Sequence, residues 1–154
     1  MTMDLGGWAI LAVGLAAVGE DLARRQISNW TTGGAALAGW VWHGTQAGWS
    51  GLGDALLGTV IGFGVFLVFY LMGGMGGGDV KLMAGFGALL GSGPIWMAAL
   101  LAALCGGVLA ALVLALRRVR RWWWPAGAPA VWSESIPYAP AITAGVWLAV
   151  VGGA

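Results

Sequence analysis

Charge is what this sequence lacks most. Of 154 residues only 8% are charged, seven basic and six acidic, where a soluble globular chain carries about 25%. The basic residues form no stripe, so nucleic acid is not an expected partner. Cysteine is almost missing: a single Cys105 excludes an internal disulfide or a cysteine-rich zinc cluster within one chain, and it reads as a small core residue. The one histidine, His43, falls between two apolar segments, where a solvated outer loop is expected. No metal site is expected.

What fills the space is apolar: 60% of the residues are hydrophobic, with 29 glycines and 11 tryptophans. The runs from Ala55 to Met72 and from Ile95 to Leu116 contain no charge, and each is long enough to cross a hydrocarbon core as a helix. Shorter apolar segments run from Leu5 to Gly19, Trp30 to Trp42, Leu82 to Leu90 and Ile136 to Val151. The pattern predicts an all-α fold, a polytopic transmembrane helix bundle of about six spans in one domain covering residues 1–154, with the bilayer as its solvent. The second and fourth segments are the ones expected to be tilted, distorted or re-entrant. No basic residue precedes the first apolar stretch, so it is expected to remain rather than be cleaved as a signal peptide.

The seven basic residues occupy three places: Arg24 and Arg25, Lys81, and Arg117 to Arg121. Six crossings would set two spans between each place and the next, so all seven would share one face. The positive-inside rule makes that face cytoplasmic and puts both termini outside. Asp4 and Asp54 would then lie outside, with Glu20, Asp21, Asp79 and Glu134 on the arginine side. The segment "RRVRRWWWP" reads as an interfacial anchor of arginines and Trp122 to Trp124.

Two stretches share a small pattern, "GLGD" ending at Asp54 and "GGGD" ending at Asp79. With so many glycines, such a match arises by chance in roughly one chain in seven. Only Asp79 shares its expected face with another membrane-edge carboxylate, in "GEDLARRQISN". A carboxylate there must face a bundle interior or a wet cavity. Two in one cavity repel when both are charged, so the pair can hold one proton between them. That suits peptide hydrolysis: the ionised member takes a proton from water while the protonated member donates to the scissile carbonyl. Gly76, Gly77 and Gly78 would allow irregular backbone and close approach of an extended peptide.

These residues resemble a known family. "GGGDVKL" is similar to the GxGDxKL signature of bacterial prepilin peptidases, membrane aspartyl proteases that trim the leaders of type IV pilins and pseudopilins. "DLARRQISN" resembles their other aspartate-bearing stretch, and "IPYAPAITAG", from Ile136 to Gly145, resembles a segment near their end. The resemblance implies Asp21 and Asp79 as the catalytic pair, with Gly76, Gly77, Gly78, Lys81 and Asn29 binding substrate or supporting, and no cofactor. It implies a prepilin or pseudopilin substrate cleaved after a glycine at the cytoplasmic face of a bacterial inner membrane, and pilus assembly machinery as a further partner. Ser28 stands where the family usually has proline, which suggests a less rigid loop, and Ala139 replaces a glycine. The short chain resembles the peptidase-only form of tight-adherence (Flp) pilus systems, so methylation is not expected.

Plainer roles stand beside these. Asp79 could cap the following helix, and Asp21 could be a solvated charge paired with Arg24 or Arg25. Glu20 is a rival to Asp21, but neighbouring helix positions point about 100° apart, so one of the two should face the cavity. Lys81 could snorkel to the interface. A proton-coupled carrier using buried aspartates and a noncatalytic assembly subunit are the competing functions.

Overall fold

The computed structural model describes residues 5–123 and 136–153, with side chains in the last helical turns before Trp123 described only as far as Val119. Asp4, Glu134 and Trp124, and the side chains of Arg120, Arg121, Trp122 and Trp123, fall outside the described residues. The described chain is all helical: α1 Leu5–Arg24, α2 Asn29–Leu71, α3 Gly77–Leu90, α4 Ile95–Trp123 and α5 Ala139–Val151.

Among the described residues three stretches are long and apolar enough to cross a membrane, Leu5–Arg24, Asn29–Leu71 and Ile95–Val119. About six spans is therefore more than the described helices give. α3 has 14 residues and α5 has 13, each about 20 Å long against a hydrocarbon core of about 30 Å. The second and third expected segments both fall within α2, on either side of a kink at Gly48 with no loop between them.

That element turns back on itself. Gly48 breaks the helical backbone at φ 61°, ψ −139°, a left-handed conformation that glycine adopts without a Cβ clash. Trp40 Nε1 donates to Thr59 Oγ1 at 3.0 Å, although the two are 19 residues apart, a separation of about 28 Å along a straight helix. The arms 29–47 and 49–71 therefore run antiparallel as a hairpin. His43 is not in a solvated loop; it lies on the first arm, half-buried, and its Nε2–H donates to the Leu89 carbonyl at 3.1 Å.

α3 lies against both arms, and glycine sets the spacing. A Cβ on Gly39 would sit 2.4 Å from the Ala88 carbonyl, and one on Gly58 would sit 2.3 Å from the Gly87 oxygen, so backbones meet where side chains would intervene. α3 is consequently the central helix, with Leu82, Met83 and Phe86 fully buried beside Phe66 and Ile95. On the other side Gly145 lets α5 approach α4 at Ala102, and Gly14 lets α1 receive Thr143 of α5.

The "GLGD" copy now has a structural role. Asp54 Oδ1 accepts the Ser92 N–H at 3.2 Å and the Ser92 hydroxyl as well, fastening the α3–α4 turn to the hairpin at the end of α3 remote from Asp79. Asp54→Ala removes that acceptor and leaves the Ser92 amide short of a partner, which costs about 1–3 kcal/mol. Thermal unfolding followed by tryptophan fluorescence should show the drop.

Candidate active site

At the other end of the bundle, three chain entrances surround one cavity of about 630 Å³, within the ~300–1,000 Å³ range of small-ligand sites. The end of α1 supplies Asp21 and the turn residues Arg25 to Ile27. The lead-in to α3 supplies Gly73 to Asp79 and Lys81, and the lead-in to α5 supplies Ile136 and Tyr138. Two residues separated by most of the chain's first half, Asp21 and Asp79, thus open onto the same space.

Both are buried carboxylates, 8% and 7% exposed, and each is anchored by a single backbone amide. Asp79 occupies the third position of α3 and reaches back to the Gly76 N–H at 3.0 Å, so the N-cap is Gly76 and not Asp79 as expected, and Asp79 supplies the returning half of a capping box. Asp21 Oδ2 accepts the Ala139 N–H at 3.1 Å, which satisfies an orphan amide at the start of α5. Asp21 is therefore not a solvated charge at a helix end. Among the described residues neither Oδ1 accepts a hydrogen bond, which leaves one oxygen of each carboxylate for a water or a substrate.

Glu20 points elsewhere, as helical spacing requires. Its Oε2 accepts the Ser28 N–H and its Oε1 the Thr31 hydroxyl, both at 2.7 Å, and it does not line the cavity. Ser28 does not leave this corner slack. Its backbone, φ −65° and ψ 140°, is the conformation proline prefers, yet it keeps the N–H that Glu20 uses, and its hydroxyl caps α2 by accepting from Trp30 N at 3.1 Å.

Lys81 and Asn29 are brought together: Lys81 Nζ donates to Asn29 Oδ1 at 3.0 Å. The three glycines sit elsewhere than expected. Gly76 is the N-cap, with φ −83°, and Gly77 and Gly78 are already helical. The left-handed residue in this lead-in is Gly73, φ 76°. A Cβ on Gly76, Gly77 or Gly78 would meet its neighbours at ordinary contact distances of 3.4 to 3.8 Å, so what their bareness secures is open space along the cavity wall.

Sequence reasoning missed Tyr138, Gln26 and Ile27 in the lining, and the bond from Ala139 to Asp21. The only signal for the α5 side was the likeness of "IPYAPA", which carried no role for its residues.

The profile of the type IV leader peptidase family matches residues 8–111, a stretch that contains both aspartates, Asn29 and Lys81. The chain belongs to that family. No curated protein and no solved structure gives a match. Membership of the type IV leader peptidases implies peptidase activity on a prepilin substrate. The "IPYAPA" stretch lies beyond the matched residues, yet in the folded chain it closes the third side of the cavity.

Proposed function

We propose that the chain is an intramembrane aspartyl endopeptidase that removes the basic leader of a Flp-type prepilin or pseudopilin, cutting after a glycine at the cytoplasmic face of the inner membrane. The observation that carries this reading is the opening of Asp21 and Asp79 onto one cavity in a leader peptidase. The two carboxylates share one proton. The ionised member takes a proton from a water held between them; the protonated member donates to the scissile carbonyl oxygen, and the resulting hydroxyl attacks the carbonyl carbon. Collapse of the tetrahedral intermediate breaks the C–N bond: the leaving amine takes the proton that the base drew from water, and the hydroxyl formed on the carbonyl oxygen returns its proton to the carboxylate that supplied it. No cofactor takes part.

The bare wall from Gly76 to Gly78 receives the extended peptide, since helical amides are closed to attack. Lys81, held by Asn29, fixes the wall's first turn. The test is incubation of the reconstituted protein with a peptide that joins a basic leader, a glycine and an apolar helix. Mass spectrometry should find a new carboxyl terminus at the glycine. An intact peptide, together with proton flux into liposomes that depends on Asp21 and Asp79, would instead identify a carrier.

A further inference from the structure

The two aspartates belong to different packing units. α2 and α3 share the most extensive helix contact in the molecule, and α4 with α5 the next. Asp79 is carried by the α2–α3 unit. Asp21 sits on α1, which is joined to α5 by the close approach of Gly14 to Thr143 and by its own bond to Ala139. The catalytic distance is therefore a distance across a seam between units, and packing within either unit does not fix it.

We propose that Glu20 is the tie across that seam, a positioning residue that sets the separation of Asp21 and Asp79; this rests on the two-aspartate reading above. Both of its oxygens hold the first turn of α2, one through the Ser28 N–H and one through the Thr31 hydroxyl. Charge-assisted bonds of this length are the strong kind. The same turn is held from the other flank, because Asn29, between those two partners, accepts from Lys81 two residues beyond Asp79. Polar contacts on either side of the first turn of α2 thus link the residue beside Asp21 to Lys81, on the helix that carries Asp79. Glu20 stands outside the cavity, so it acts on the aspartates without touching the substrate.

Kinetics on the leader peptide separate positioning from binding. Glu20→Ala should lower kcat by about tenfold or more, since a 1 Å misplacement can cost about 10²-fold, with KM within about twofold of the parent. Glu20→Gln keeps one acceptor oxygen and should recover part of the loss. Spin labels at Leu22→Cys on α1 and Leu71→Cys at the end of α2, in a Cys105→Ala background, should report a broader distance distribution once Glu20→Ala is added. If Glu20→Ala does not fold, Thr31→Val, which removes one bond, should show a smaller fall in kcat with the same constancy of KM. Unchanged kcat with an unchanged label distance overturns the proposal, and so does a rise in KM at constant kcat, which would mean contact with substrate. Cleavage that survives Asp21→Asn would sink the two-aspartate reading instead, while the label distances would still decide whether Glu20 ties the units.

Discussion

Asp79→Asn should reduce leader cleavage on the order of 10³-fold, the usual scale for losing a proton-transferring group, while Asp54→Asn leaves the rate close to that of the parent. The two residues end identical-looking glycine patterns, so the comparison isolates position from composition. Asparagine is the informative replacement at both sites. At residue 79 its carbonyl oxygen can still accept the Gly76 N–H that Asp79 holds, so the start of α3 keeps its cap and the lost activity cannot be ascribed to an unravelled helix. At residue 54 it can still accept from Ser92. Circular dichroism and thermal melts of the two variants should therefore stay near the parent, and their cleavage rates should diverge. Equal rates for both would remove Asp79 from the chemistry.

The second large effect is structural. Gly87→Ala should destabilise the fold by about 3 kcal/mol, the upper part of the usual overpacking range, and take activity with it. The added Cβ would lie 2.1 Å from the Gly58 oxygen and 2.7 Å from its carbonyl carbon. Those are backbone atoms, which cannot rotate aside, so α3 must move off the hairpin. Asp79 is eight residues along the same helix, about 12 Å away, and moves with it. Gly64→Ala is the control. Nothing lies within 4 Å of a Cβ there, and replacing a helical glycine by alanine gains up to about 1 kcal/mol. Melting temperatures in detergent for the two variants should move in opposite directions.

Much of this was readable from residue order, and the exceptions have physical causes. Apolar runs fix helices because buried backbone in lipid has no other way to satisfy its amides. Helical periodicity required that only one of Glu20 and Asp21 face the cavity, the family resemblance picked Asp21, and the choice of Asp79 over Asp54 came from which face each shares with other acids. The join between the expected second and third segments was not legible. A single left-handed glycine at residue 48 reverses the chain, and the stretch from His43 to Asp54, polar enough to read as a loop, is helical because the two arms hydrogen-bond and pack against each other. Nor was the anchoring of Asp21 by Ala139, since 118 residues separate them and no local pattern encodes such a contact. The glycines before Asp79 were assigned the wrong backbone: a run of three suggested irregularity, but a cap and a first turn accommodate glycine without any unusual φ.

The claim on which the rest depends is that Asp21 and Asp79 act as a single catalytic unit. Single-turnover cleavage rates for the parent, Asp21→Asn, Asp79→Asn and the double variant measure this directly. Groups that work as one unit are strongly non-additive, so each single variant should already fall to the background rate and the double variant should fall no further. A single variant that retains the parent rate, or losses that multiply in the double variant, would contradict the account.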